Sequence, residues 1–519
     1  MKTDRLAVVE RDAQRVISLF KSRSMFHEVI YTIKDRADGP YLVLELLNPT
    51  ERFYGIVENI SKELVDDNLF AGRVTIKKRF KPPVNRLSLP ETALLQKVIA
   101  ESLTATSSTF GDEYLDRYIR SVSGAEEQIT ARSNNIVLGR RGSGKSSLLL
   151  YAMHKLKEEQ TPYTWTTIQT YEGRKDFLVV VDIFLDIVSQ LAAKCAGVSL
   201  MEMQLILSKL EGFLDEGCTE KQFDVLVPRV RRAFSAVVRG AGQIVLFLDD
   251  IHVLHETMQI MVLSKLYSIT RDNSVFLKIS GIEQLAKNWN ASLRKGIETP
   301  HDAQVIKLDH NLTMPGKSLD HISSILDARA TYCGLPSIGY ICGSEVIQRL
   351  VWVAAGVPRD ALSIFSSAAS RAAIKDQKRV SITSVNEAAS VMAETKINDL
   401  ALDASDRKPK IEEAFDVVRK FCISEQKKNA FLVEIGSNGP AMSLVKELIG
   451  LRLLHILHEG VTPHQAVRRY MGLMLDYGFY VGIRAARSVD VFQKEPDEIA
   501  AKDLRNLPIF PLNLIAPFA

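Results

Sequence analysis

Gly139-Arg140-Arg141-Gly142-Ser143-Gly144-Lys145-Ser146 satisfies every fixed position of the pattern G-x-x-x-x-G-K-[S/T]. Its flanks constrain what the run can fold into. Ile136-Val137-Leu138 is a short apolar stretch suited to a buried parallel strand. Ser147-Leu148-Leu149-Leu150-Tyr151-Ala152-Met153 reads as the start of a helix. A strand, a Gly-rich loop and a helix in that order make a phosphate cradle. Glycines let backbone N–H groups turn inward, and the helix N-terminus adds the positive end of its dipole. Lys145 is expected to reach the β- and γ-phosphates of ATP, and the Ser146 hydroxyl to ligate Mg²⁺. The remaining loop residues, with Ser147, are assigned to the nucleotide along with them.

Hydrolysis needs a magnesium-holding acid at the end of a neighbouring buried strand. Gln243-Ile244-Val245-Leu246-Phe247-Leu248-Asp249-Asp250 supplies one, five apolar residues ending in two carboxylates, as in the Walker B pattern. Asp249 is the expected Mg²⁺ holder, and Asp250 the expected polariser of the attacking water. Asp is one methylene shorter than the Glu common at that position, which implies slow turnover.

Between these motifs, residues 163–170 are rich in β-branched and aromatic types and predict a strand. Helical apolar spacing recurs over 177–193, 200–214 and 223–238. A helix over 255–269 and buried strands over 274–280 and 303–309 follow. Strands alternating with helices predict a parallel sheet covered on both faces.

This order of motifs, with Ala354-Ala355-Gly356-Val357-Pro358-Arg359 further on, resembles the AAA+ ATPases over roughly residues 90–400. It is similar to their origin-recognition (initiator) type and to the related STAND signalling ATPases. The resemblance implies that residues 312–330 cross into a helical lid, and that Arg359 is the sensor 2 arginine, which touches the γ-phosphate. It places Ser280 at the sensor 1 position, where Asn is frequent, and makes Arg294 a candidate arginine finger for a neighbouring subunit's nucleotide. The implied fold class is α/β: a parallel-sheet P-loop ATPase core (86–310) with a helical lid (311–402).

Bulk properties bound the rest. The 519 residues suffice for several domains. A net charge of +4 permits anionic partners without demanding them. Five cysteines at 195, 218, 333, 342 and 422 show no C-x-x-C spacing, so neither a zinc site nor a disulfide framework is indicated. Scattered cysteines, a charged N-terminus and no apolar run of membrane-spanning length fit a cytoplasmic protein without a membrane role.

Residues 1–85 read as a small α+β module: a helix over 4–20, strands over 28–33 and 41–46, a helix over 58–69 and a strand over 72–78. Lys77-Lys78-Arg79-Phe80-Lys81-Pro82-Pro83 reads as a solvated linker or as a basic strip touching nucleic acid. After a polar linker at 403–410, residues 411–495 read as helices over 411–422, 442–457 and 462–475, a strand at 429–434, and hairpin strands at 479–484 and 489–492. Thr462 is the expected N-cap of the last helix and Pro463 its first residue. Helices followed by a hairpin resemble a winged helix. A DNA-reading version would place Arg468 and Arg469 on the helix entering the major groove, with Arg484 and Arg487 on the wing. The apolar tail at 496–519 is expected to dock.

Two functions are consistent with these features. One is an ATP-hydrolysing AAA+ protein coupling nucleotide state to DNA binding or assembly. The other is a STAND-type nucleotide-gated switch that binds protein partners, as in bacterial anti-phage defence. Either implies a homo-oligomer or a multi-protein complex.

Overall fold

The structure is a computed structural model that describes the chain except residues 1, 65–67, 80–84, 105, 107–109, 122, 309–311, 313–314, 404–407, 437–438, 464–467 and 482–499. In the N-terminal module, strands β1 (Ile30–Arg36) and β2 (Gly39–Leu46) form an antiparallel hairpin, and β3 (Val74–Lys78) runs parallel to β2. Helices Lys2–Ser24 and Glu51–Glu63 cover the sheet through Phe20 and Phe53, whose rings lie 6.3 Å apart. The second helix begins seven residues before the expected 58, because the turn after β2 leads directly into it. The basic run is described only at its start, where Lys77 and Lys78 close β3.

The core that carries the Gly-rich loop is a five-stranded, all-parallel sheet. Its strands are β4 (Asn135–Leu138), β5 (Tyr163–Thr167), β6 (Ile244–Asp249), β7 (Val275–Gly281) and, after a small hairpin of β8 (Trp289–Asn290) and β9 (Lys295–Gly296), β10 (Gln304–Lys307). The order is β10-β4-β7-β6-β5. β6 is buried at all six positions, which is why it reads as an uninterrupted apolar run. Separate apolar clusters fill the two faces of the sheet, one around Phe184, Phe223 and Leu246, the other around Leu149, Val137 and Phe247. This order puts β7 between the P-loop strand and the acid-bearing strand, so the C-terminal ends of all three converge.

The helical part expected as a lid begins with helix Pro315–Tyr332 and continues through Ser344–Val353, Pro358–Ile374 and Ile382–Asp403. It shares one apolar core with the N-terminal module and the C-terminal part. Arg52 of the module stacks on the Tyr332 ring at 3.9 Å, so the module is docked on the lid.

The C-terminal part departs from the sequence expectation. Helix Lys408–Lys420 and strand β11 (Ala430–Glu434) form as predicted. Helix Pro440–Gly450 then stops early. Arg452 adopts a left-handed φ of 64°, and residues expected to prolong the helix form strand β12 (Leu454–Val461). The expected helix over 462–475 is also corrected. Residues 464–467 lie outside the described residues, and Tyr470–Leu475 is strand β13, the centre of an antiparallel sheet ordered β11-β13-β12. β13 is apolar on both faces because both are covered, and such a run carries no period to separate strand from helix. The first expected hairpin strand begins as a helical turn, Gly478–Val481. The rest of that hairpin, with Arg484 and Arg487, lies outside the described residues. Among the described residues, no recognition helix separates Pro440–Gly450 from β12. The tail docks as expected: Leu432 N donates to Pro508 O and Phe510 N to Leu432 O, both at 2.8 Å, and Phe510 packs against Phe421 and Phe431.

Among the described residues, no helix is long and apolar enough to cross a membrane.

Candidate nucleotide site

Gly142 and Gly144 sit at φ 79° and 97°, the left-handed region that the loop needs to turn its amides inward. A Cβ on Gly144 would meet nothing within 4 Å, whereas one on Gly142 would lie 2.7 Å from Arg359 Cβ. The loop opens into a cavity of about 460 Å³ on one side and touches the lid on the other. Lys145, the first residue of helix Lys145–Glu158, is 6% exposed, and its Nζ donates to Arg140 O at 3.1 Å. Burial pulls its ammonium pKa down, while Asp250 and Asp249 oppose that shift.

The acids are held in a chain of hydrogen bonds. The Ser146 hydroxyl donates to Asp249 Oδ1 at 3.1 Å, and the Ser280 hydroxyl donates to the same oxygen at 2.5 Å. Asp250 N–H donates to Ser280 Oγ at 2.8 Å. Burial, and next the charge of Asp250, raise the Asp249 pKa to about 6, against the two hydroxyls. Asp250 itself has a left-handed φ of 63°, which turns its carboxylate off the strand axis and into the cavity. This is a P-loop α/β fold.

No family model matches the chain, and no curated protein matches it. Among solved structures it is similar to Drosophila ORC bound to DNA, at 15% identity over 83% of this chain and 96% of that one, with a TM-score of 0.35. It is similar to the Aeropyrum pernix ORC1 protein in complex with DNA, at 12% identity over 73% and 93%, TM-score 0.39. It is also similar to a Walker-type ATPase of Pyrococcus abyssi, at 12% identity over 72% and 99%, TM-score 0.40.

The structure brings Arg141, Gly142, Ser143, Gly144, Lys145, Ser146, Ser147, Asp249, Asp250 and Arg359 to one cavity. Arg359 reaches it from the start of lid helix Pro358–Ile374, where its guanidinium donates to Leu103 O at 2.6 and 3.1 Å. Four of the expected residues stand outside the cavity lining. The Arg140 side chain turns away from the cavity, donating to Ala355 O and facing His455 Nδ1, each at 3.0 Å. Gly139 lies beneath the loop, where a Cβ would meet Ser143 Oγ at 2.6 Å. Ser280 is fully buried under the two acids, so its hydroxyl orients them and does not line the cavity. Arg294 stands exposed at the β8–β9 turn, outside the cavity.

Several cavity residues escaped the sequence reading. Tyr114, Arg117 and Tyr118 come from the segment before β4. The Tyr118 ring stacks on Tyr151 of the P-loop helix at 5.1 Å, and Tyr114 Oη lies 3.4 Å from Ser147 Oγ. Aromatics at 110, 114 and 118, spaced by four, were the available signal. His252 lies with its Nδ1 3.8 Å from Asp250 Oδ1, and burial lowers its pKa to about 4, so it is neutral at pH 7.

Proposed function

We propose that the chain binds and hydrolyses ATP with Mg²⁺ at this cavity and couples nucleotide state to DNA binding or assembly. The observation that carries the ATPase reading is the convergence of Lys145, Ser146, Asp249 and Asp250 at one open loop, with Arg359 entering from the lid. The residues fit the implied ligands. The Gly144 position leaves room beside the loop backbone, and one hydroxyl plus one carboxylate is a donor set suited to Mg²⁺, which keeps several of its waters. Bound Mg²⁺ would neutralise charge on the phosphates. Lys145 would exchange its carbonyl partner for phosphate oxygens, Ser146 and Asp249 would hold the metal, and Asp250 would take a proton from the attacking water. Arg359, anchored on Leu103 O beside Gly142, would report the γ-phosphate to the lid. Arg294, exposed beyond β7, is suited only to a neighbouring subunit's site.

The DNA partner rests on the initiator-type resemblance of the motifs.

Equilibrium titration with ATP and steady-state turnover test the ATPase reading together. Lys145→Ala should weaken ATP binding at least about tenfold, the loss of a charge-assisted contact worth roughly 1.5–3 kcal/mol. Asp250→Asn should keep the affinity and lower turnover. Unchanged affinity in the first variant would sink the site assignment, and intact turnover in the second would move the base elsewhere.

A further inference from the structure

On the side of the P-loop away from the cavity, six ionisable side chains form one buried chain of contacts. Arg140 Nη1 lies 3.0 Å from His455 Nδ1, and His455 Nε2 lies 2.8 Å from Asp476 Oδ2. The same Asp476 oxygen accepts from Lys396 Nζ at 2.6 Å. Lys396 Nζ is 3.3 Å from Asp360 Oδ2, and Asp360 Oδ1 pairs with Arg452 Nη1. None of the six is more than 6% exposed.

Their origins give the chain its meaning. Arg140 belongs to the P-loop, and its carbonyl holds Lys145. Asp360 follows Arg359 on the lid helix, and Lys396 lies on lid helix Ile382–Asp403. Arg452, His455 and Asp476 frame the C-terminal sheet at the ends of β12 and β13. One end of the chain therefore belongs to the P-loop, Asp360 joins it beside Arg359, and His455, Asp476 and Arg452 tie both to the C-terminal sheet. The hydrogen bonds also have one direction. Arginine only donates, so His455 Nδ1 accepts and Nε2–H donates to Asp476. Displacing Arg140 strands a ring nitrogen and weakens the hold on Asp476.

Apolar residues of similar volume would join these surfaces at least as firmly, since desolvating ions offsets much of their attraction. Removing one partner from such a set, however, strongly destabilises the remainder. A set of this kind suits registry between parts more than bulk adhesion.

We propose that this chain of contacts couples the nucleotide site to the C-terminal sheet, so that P-loop and lid rearrangements on nucleotide exchange are carried to β12 and to residues 476–481. The proposal rests on the reading of the P-loop as a nucleotide site. Hydrogen–deuterium exchange on the full chain tests it, without nucleotide, with Mg-ADP and with a non-hydrolysable Mg-ATP analogue. In the wild type, nucleotide should slow exchange at least about threefold both in a peptide spanning the P-loop and in one spanning β12. In Arg140→Met the P-loop peptide should still respond, because Lys145 and the loop amides remain, while the β12 peptide should not. A wild-type β12 peptide indifferent to nucleotide, beside a responsive P-loop, overturns the coupling alone. So does a β12 response that persists unchanged in the variant. A P-loop peptide that ignores nucleotide overturns the site reading and the coupling together. Should Arg140→Met not fold, Asp476→Asn, which keeps the shape and one acceptor, carries the same comparison.

Discussion

His455 is asked to accept at one nitrogen and donate at the other, which only the neutral ring can do. Burial lowers its pKa to about 4; Asp476 opposes the shift, and Arg140 and Lys396 reinforce it. Unfolding releases the ring to its ordinary value near 6.5, so between about pH 4 and 6.5 the unfolded chain binds the extra proton. Stability linked to His455 is therefore present above pH 6.5 and is lost as pH falls toward 4, by about 1–3 kcal/mol. Asp249, raised to about 6, acts in the opposite sense over part of the same range, because its buried charge disfavours the folded state as pH rises. The informative quantity is the difference between wild type and His455→Gln in urea unfolding at several pH values. That difference should grow in favour of the wild type from pH 4.5 to 6.5 and then level off. A flat difference would mean that the ring keeps its ordinary pKa in the folded chain.

At the scale of elements, legibility followed the kind of apolar pattern each segment carries. β4 and β6 were readable because each buried run ends in polar residues of recognisable chemistry, and the amphipathic helix Glu220–Ala241 was readable from its period. β13 was not, since Tyr470, Gly472, Leu473 and Met474 are all buried and no face is left polar. Of the site, the loop and acids were legible from spacing. The turned-away Arg140 and the Ser280 bridge were not, because their partners lie far off in sequence. Gly478 shows how tightly two such elements are fitted. A Cβ there would lie 2.6 Å from Ala389 O and 2.7 Å from Ala393 Cβ on lid helix Ile382–Asp403. Backbone cannot yield as a side-chain tip can, so Gly478→Ala should cost about 1–3 kcal/mol in denaturant unfolding. A neutral substitution would show that this contact is looser than described.

For the molecule as a whole, the open matter is what the C-terminal sheet meets. Arg468 and Arg469 stand at the entrance to β13 and not on a helix, with Arg468 paired to Glu434 at 2.6 Å and largely exposed. If this face binds duplex DNA, changing both to Glu should weaken binding and lower the salt slope by about one unit per lost phosphate contact, with ATP affinity retained. Fluorescence anisotropy across a salt series reads both effects. A wild type that binds no duplex in Mg-ATP would leave the protein-partner switch as the surviving function.

The docked tail has a consequence for how the chain reaches this state. Leu432 finds its neighbours Pro508 and Phe510 across most of the C-terminal part, and β13 and β12 lie between them in sequence. Joining such distant segments is slow compared with forming a local hairpin. Until they meet, one flank of β11 is an uncapped row of amides and carbonyls, open to a strand from any nearby molecule. Refolding yield should therefore fall steeply with protein concentration, and a peptide of residues 505–519 added in excess should restore it by occupying that flank first.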